Sequence, residues 1–188
     1  MSALIALACL ITGLVAVMQR VDGGSDDWTN FDHKSFAVTR VVDGDTVDVE
    51  SSDGAFKTRV RLLGIDAPEM TDPSTGHPAH WADRATGYLR GRLTGRSVTL
   101  RLEPIETRDK YGRLLAYIYL TDGDCINLDL VRDGQAYADR RFSHSWRPQY
   151  EQAENEARKK QRGLWKDLTE LEMPPWRRVW LHERSADR

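Results

Sequence analysis

Cysteine is scarce in this chain: there are two, Cys9 inside an apolar run and Cys125 far downstream. Neither a disulfide framework nor a Cys-rich zinc site can be built from them. An excess of one charge is also missing. With 27 Lys and Arg against 29 Asp and Glu, the formal net charge over 188 residues is −2. That excludes nucleic-acid binding through bulk positive charge, so any phosphate recognition must be local. No internal repeat is present, and neither is the low hydrophobicity with large net charge that marks disorder. Hydrophobic residues make up 40% of the chain and charged residues 30%, with a mean hydropathy of −0.58. Length and composition fit one folded domain with short appendages.

At the N-terminus, residues 2–18 carry no charge and no proline, which lies at the short limit for a bilayer-spanning helix. A signal peptide should start with a basic residue and end in an A-x-A-like site, and neither precedes Arg20. Segment 1–20 is therefore expected to be an uncleaved hydrophobic helix anchored in a membrane, with secretion after cleavage as the alternative. Residues 21–34, with the run Gly23-Gly24-Ser25-Asp26-Asp27, read as a flexible linker. Pro174-Pro175-Trp176 stops any helix arriving from upstream, and 167–188 reads as a C-terminal tail.

The body spans 35–166. Residues 35–49 alternate in polarity and are interrupted by Asp43-Gly44-Asp45, which predicts strand, tight turn, strand. A third β run over 56–63 ends at Gly64-Ile65-Asp66-Ala67-Pro68-Glu69, where Pro68 stops regular structure. The three make a meander. Trp81, Ala85, Tyr88 and Leu89 recur at helical spacing and predict a helix over 79–93. Further strands are predicted over 97–102 and 114–120, a short helix over 127–132 before Gly134, and a last helix over 147–162 before Gly163. Short strands with helices placed late give an α+β class, and a small closed barrel of the OB type, five-stranded with about three helices, is its natural solution.

Asp45 and Asp66 each end a β run, and Glu69 follows on the same loop as Asp66. Hard oxygen donors on adjacent strand ends suit Ca²⁺. Taken singly, Asp43-Gly44-Asp45 is an ordinary hairpin turn and Ile65-Asp66-Ala67-Pro68 an ordinary strand exit. Arg61 is different: it stands among Val60, Leu62 and Leu63, where an unpaired guanidinium would be costly, so it needs an anion nearby. Arg113 repeats the situation at the turn into 114–120, with a surface salt bridge as the plain alternative. His77 and His80 lack paired ligand spacing and raise no expectation of zinc.

Four separated motifs then combine: Val42-Asp43-Gly44-Asp45-Thr46-Val47, Arg61-Leu62-Leu63-Gly64-Ile65-Asp66-Ala67-Pro68-Glu69, Asp109-Lys110-Tyr111-Gly112-Arg113-Leu114-Leu115-Ala116-Tyr117-Ile118-Tyr119 and Asn127-Leu128-Asp129-Leu130-Val131-Arg132-Asp133-Gly134. Together, and in this order, they resemble the staphylococcal nuclease (thermonuclease) family over roughly residues 35–166. Pro174-Pro175-Trp176 resembles a tail that follows this domain in bacterial members. The resemblance implies an OB-fold barrel with three helices. It also implies a Ca²⁺-dependent phosphodiesterase that cleaves single-stranded or frayed DNA and RNA on the 5′ side of the phosphate, releasing 3′-phosphates.

By motif position, Asp45 and Asp66 would ligate Ca²⁺ together with the main-chain carbonyl of Ala67, where many members carry Thr, and Asp43 would orient the site from behind. Arg61 and Arg113 match the residues that hold the phosphate. Glu69 matches the residue proposed as general base, although an ordinary carboxylate pKa of roughly 4 makes a weak base at pH 7, so positioning the water is its alternative. Lys110, Tyr111, Arg140 and Phe142 are the expected substrate contacts. Where the family usually has tyrosines this chain reads Tyr137-Ala138-Asp139-Arg140-Arg141-Phe142; Phe142 keeps an aromatic face without the hydroxyl, and Arg140 would replace a polar contact by a charged one. The whole is expected to be a monomer tethered to a membrane, its catalytic domain on the extracytoplasmic side where calcium is plentiful. The rival reading is a noncatalytic module of the same fold that binds nucleic acid or protein. Retention of Asp45, Arg61, Asp66, Glu69 and Arg113 together speaks against it.

Overall fold

A computed structural model describes residues 23–71, 76–104 and 106–186. Segment 1–20, the expected membrane anchor, lies outside the described residues, and among those described no helix is long and apolar enough to cross a membrane.

Three antiparallel strands, β1 (Ser35–Asp43), β2 (Thr46–Glu50) and β3 (Lys57–Leu62), form the expected meander. The short β4 (Ile65–Asp66) follows, and β5 (Ser97–Arg101) and β6 (Leu114–Tyr119) complete a closed barrel in the order β1-β2-β3-β6-β5. The β3–β6 pairing is parallel, with Val60 beside Leu114. Register shifts in β1, between Val38 and Arg40 and between Val41 and Asp43, bend that strand as bulges do. Its start can thus close onto β5 while its end stays on β2. Alternation sends Val47, Val49, Val60, Leu62, Leu100, Leu114, Ala116 and Ile118 into the interior, each of the Val, Leu and Ile side chains worth about 2 kcal/mol of burial.

The helices cover the barrel. An amphipathic stretch of the predicted kind forms α2 (Ala82–Leu93), which buries Ala85, Leu89 and Leu93. It begins later than the spacing predicts because Trp81 takes a left-handed conformation, φ 72°, and donates its indole N–H to Gln135 at 2.8 Å. In α3 (Ile126–Arg132) the buried Asn127 donates to the carbonyls of Leu63 and Ala116 and accepts the Ile118 N–H, tying the helix to the barrel through a fully used amide. The next helix, α4 (Arg147–Lys159), buries Tyr150, Glu154 and Ala157. Gly134 and Gly163 both have positive φ and touch: a Cβ on Gly134 would lie 2.2 Å from the Arg162 carbonyl oxygen, and one on Gly163 would lie 2.1 Å from the Gly134 oxygen. Only glycine fits either position.

Two segments differ from the sequence expectation. The linker assigned to 21–34 contains a helix, α1 (Gly23–Phe31). Asp27, 4% exposed, accepts hydrogen bonds from the Thr107 hydroxyl and the Arg108 guanidinium, and Phe31 stacks on Phe36. Contacts to distant residues supply what the glycine-rich local composition lacks. The tail assigned to 167–188 likewise carries α5 (Pro175–Ala186). Pro175 occupies its first position, where a missing N–H costs nothing, so the proline pair starts a helix as well as barring one.

A two-stranded ribbon pairs β4 with β7 (Tyr137–Ala138), setting Asp66 opposite Tyr137 and Ile65 opposite Ala138. It lies beyond the end of β3 and carries the chain after α3 to the carboxylates.

Candidate active site

Arg61 lies opposite Thr46, next to the tight turn of the first hairpin. Its side chain is 12% exposed, and its Nη2 meets Asp45 Oδ2 at 3.0 Å and Asp66 Oδ1 at 3.1 Å. Nη1 donates to the carbonyls of Leu62 and Ile65 at 2.9 and 2.8 Å. The anion that its apolar neighbours demanded is thus a pair of aspartates. Asp45 is buried at the turn, where its own N–H donates to Asp43 Oδ1 at 3.1 Å. Its Oδ2 accepts the Ala67 N–H at 2.8 Å and its Oδ1 the Thr46 hydroxyl at 3.0 Å. Gly44, between the two aspartates, leaves no room for a side chain: a Cβ there would stand 2.7 Å from that of Ala67.

Asp66 is held from two further sides. Arg141 meets its Oδ1 at 3.0 Å and the Trp176 indole N–H donates to its Oδ2 at 2.8 Å. Arg141 also pairs with Asp139 at 2.8 Å. Neither Arg141, Asp139 nor Trp176 stands out in the sequence as a site residue. Beyond the ribbon, Arg141 is aimed at Asp66 by two bonds to Asp139 at 2.9 and 2.8 Å and by the Trp176 ring, whose centre lies 4.9 Å from its Cζ, while the adjacent Arg140 turns to Glu151 and Glu154.

The site holds more acid than base. Asp43, Asp45, Asp66 and Glu69 surround Arg61 and repel one another electrostatically. Burial raises the pKa of Asp45 against the pull of Arg61, and Asp43 adds to the rise. Burial likewise raises Asp66 against Arg61 and Arg141. Glu69 is exposed as a residue, yet its carboxyl is pushed up to about 7, first by loss of solvent around the group and then by Asp45, Asp43 and Asp66. Without a cation beside it the Glu69 carboxyl therefore lies above the ordinary carboxylate range.

A hard cation fits this donor set. Excess negative charge is unneutralised, Asp45 Oδ1 and Asp66 Oδ2 each retain acceptor capacity beyond the single hydrogen bond they receive, and Ala67 is buried with its carbonyl accepting no hydrogen bond among the described residues. Among the described residues no group of three or more His, Cys, Asp or Glu side chains already converges as a metal cage; Arg61 bridges Asp45 and Asp66 instead.

Arg113 lies just before β6, beside the strand that carries Arg61. Its Nε donates to Asp109 Oδ2 at 2.7 Å, and Asp109 Oδ1 accepts the N–H groups of Tyr111 and Arg113, closing the turn. Tyr111 is 71% exposed, with Lys110 Nζ 5.0 Å and Arg113 Cζ 5.3 Å from its ring centre. The same loop lines an open cleft with Asp48 and Arg59. No ion pair or hydrogen bond among the described residues joins Arg113 to Asp45, Asp66 or Glu69.

Phe142 is also exposed, at 59%, beside Arg141. Arg140 is placed differently from its expected role as a substrate contact. Its side chain is 7% exposed, pairs with Glu151 and Glu154 at 3.2 and 3.3 Å, and lies under the Trp180 ring. Its charge is consumed inside the protein, and Arg141 is the cation that reaches the site.

Comparison with known proteins places the chain among nucleases by sequence. A family model described as staphylococcal nuclease homologue matches residues 59–167. A thermonuclease of Staphylococcus intermedius is 36% identical over 166 residues, covering 85% of this chain and 94% of the relative. An uncharacterized endonuclease of Escherichia coli O157:H7 is 35% identical over 147 residues, covering 78% and 84%. A further uncharacterized endonuclease, from Haemophilus influenzae, is 33% identical over 141 residues, covering 75% and 71%.

Proposed function

The chain belongs to the staphylococcal nuclease family, and from that premise we propose that it is a calcium-dependent, monomeric nuclease hydrolysing the phosphodiester bonds of DNA and RNA on the 5′-oxygen side to leave 3′-phosphates. Relatives named thermonuclease and endonuclease support nuclease activity in general. The observation that carries the finer reading is the acid-rich cluster in which one buried arginine, Arg61, stands between Asp45 and Asp66 while Glu69 borders it.

Asp45, Asp66 and the Ala67 carbonyl would hold Ca²⁺, with Asp43 fixing the turn through the Asp45 N–H. When bound, the ion supplies positive charge against the phosphate and its developing negative charge. Glu69, at the border of the cluster, would take the proton of the attacking water or hold that water in line with the phosphate. Arg61, preorganised by two carbonyls and two carboxylates, and Arg113, aimed by Asp109, would bind the phosphate oxygens and stabilise charge that grows in the transition state. Lys110 and Tyr111 on the Arg113 loop, with Phe142 and Arg141 beside Asp66, would receive the single strand through charge and a stacking face. Segment 1–20 would tether the domain to a membrane, with the nuclease on its outer side.

The test is hydrolysis of single-stranded DNA by the full chain in Ca²⁺ and in chelator, with Glu69→Gln beside it. Calcium-dependent cleavage that leaves 3′-phosphate ends and is lost in the variant is the expected result. Binding of DNA without cutting in either condition would replace this reading by the noncatalytic module.

A further inference from the structure

The Trp176 indole N–H reaches Asp66 Oδ2 at 2.8 Å across 110 residues of chain. An indole N–H is a neutral donor and nothing else. It can fix the direction of a carboxylate without cancelling its charge, whereas a lysine or arginine in the same place would spend the charge that a cation needs. Asp66 thus has one oxygen turned to guanidinium groups, from Arg61 and Arg141, and the other steered by a group that leaves its charge intact.

The indole is itself held rigidly. It is the second residue of α5, and the next residue, Arg177, is 0% exposed and pairs with Glu154 through two bonds of 2.8 Å. The Arg177 guanidinium lies among the rings of Tyr137, Trp165, Trp176 and Trp180, at 5.1, 4.9, 5.9 and 5.7 Å. Glu154 Oε1 also accepts the Ala138 N–H at 3.0 Å, and Ala138 is the ribbon residue opposite Ile65, next to Asp66. The tie from α5 to the ribbon and the bond from Trp176 to Asp66 therefore form a closed circuit. Arg141 Cζ stacks 4.9 Å from the Trp176 ring centre while its Nη2 meets Asp66, so one ring orders both the carboxylate and the guanidinium beside it.

We propose that Trp176 is a positioning residue for the cation site, its indole holding Asp66 in the orientation in which it binds the ion, and that α5 is a working part of the active site locked in place by Arg177 and Glu154. This rests on Asp66 being a cation ligand, as inferred above. Groups that orient metal ligands from behind typically govern affinity or turnover about 10- to 100-fold.

The test uses the full chain, calcium alone as the calorimetric probe, and two variants with the same indole-to-phenyl change. Trp176→Phe keeps a ring against Arg177 and Arg141 but loses the N–H. Trp165→Phe alters the same aromatic cage at a ring whose buried N–H has no hydrogen-bond partner among the described residues. The expected result is a calcium Kd weakened about tenfold and a kcat lowered about tenfold in Trp176→Phe, with KM for DNA unchanged. Trp165→Phe should retain the wild-type Kd, and the two should melt alike in chelator. Equal Kd in Trp176→Phe and wild type, or equal weakening in both variants, overturns the positioning role while leaving the metal site standing. No calcium uptake by the wild type overturns the metal reading, and the role of Trp176 with it.

Discussion

Two buried arginine–carboxylate centres lie on either side of the β4–β7 ribbon and are built to opposite balances of charge. At Glu154 one carboxylate meets Arg177 at 2.8 Å and Arg140 at 3.3 Å, and also takes the Ala138 N–H. Glu151 occupies the other side of Arg140. At Arg61 the balance is inverted, with Asp43, Asp45, Asp66, Asp139 and Glu69 gathered around two guanidiniums, Arg61 between Asp45 and Asp66 and Arg141 between Asp66 and Asp139. Both cost desolvation, and only the first is closed by its own counter-charges. The first behaves as a staple between α4, α5 and the ribbon. The second stores repulsion where an external cation can relieve it, the kind of local cost that functional sites carry and the rest of the fold offsets.

The largest effect should come from opening the closed centre. Glu154→Ala leaves Arg177 buried without its carboxylate and Arg140 with Glu151 alone, and the stability of the metal-free protein should fall by about 4 kcal/mol, roughly 10 °C in melting for a chain of this size. A loss under about 1 kcal/mol by circular dichroism would show that the aromatic cage alone holds α5. Arg113→Ala should do the reverse. Its guanidinium pairs with Asp109 at a partly exposed turn, so stability should move by less than about 1 kcal/mol, while kcat should fall on the order of 100-fold if the group meets the phosphate in the transition state. Steady-state cleavage of a short single strand separates the two predictions.

The same contrast explains what could be read from the residues alone. The barrel was legible because its strands alternate and its turns carry Asp43-Gly44-Asp45 and Gly64; the observed β1, β2, β3, β5 and β6 fall where the pattern put them. Arg61 announced its need for an anion through Val60, Leu62 and Leu63, and Asp45 and Asp66 supply it. What local pattern could not carry was any element held by a distant partner. α1 depends on Asp27 meeting Arg108, 81 residues away, and α5 depends on Arg177 meeting Glu154; read locally, both look like linker and tail. The choice between Arg140 and Arg141 fails for the same reason, since Glu151 and Glu154 claim the first while Trp176, from the end of the chain, stacks on the second. The elevated pKa of Glu69 is likewise a product of folding, which first strips solvent from the group and then brings Asp45, Asp43 and Asp66 near it.

Calcium should sharpen the comparison from the ligand side. If the open centre takes up the ion, melting should rise by about 2.7 kcal/mol at a hundredfold excess over Kd, roughly 8 °C. Asp45→Asn should abolish that rise, and Glu154→Gln should keep it, because the closed centre has no charge to give. A rise of equal size in Asp45→Asn, read by differential scanning calorimetry, would place the ion elsewhere.

The smallest effect is the most diagnostic of stored repulsion. Glu69 has a folded pKa of about 7 against an ordinary 4.5. A carboxyl whose pKa rises on folding favours the folded state fully below its unfolded pKa, and that contribution is lost as pH climbs from about 4.5 to about 7. Above pH 7 the folded protein therefore bears the cost of an ionised Glu69 that the unfolded chain does not. Glu69→Gln removes that charge. Metal-free, the variant should match the wild type near pH 4.5 and exceed it by about 1 kcal/mol at pH 8, the figure being reduced from the full shift because water screens an exposed side chain. Saturating calcium should erase the difference, since a cation among the carboxylates returns Glu69 toward its ordinary range. Urea melts at the two pH values, with and without calcium, measure it. A variant less stable than wild type at pH 8 would mean that Glu69 is held by a favourable contact and that the open centre is not under strain at that residue.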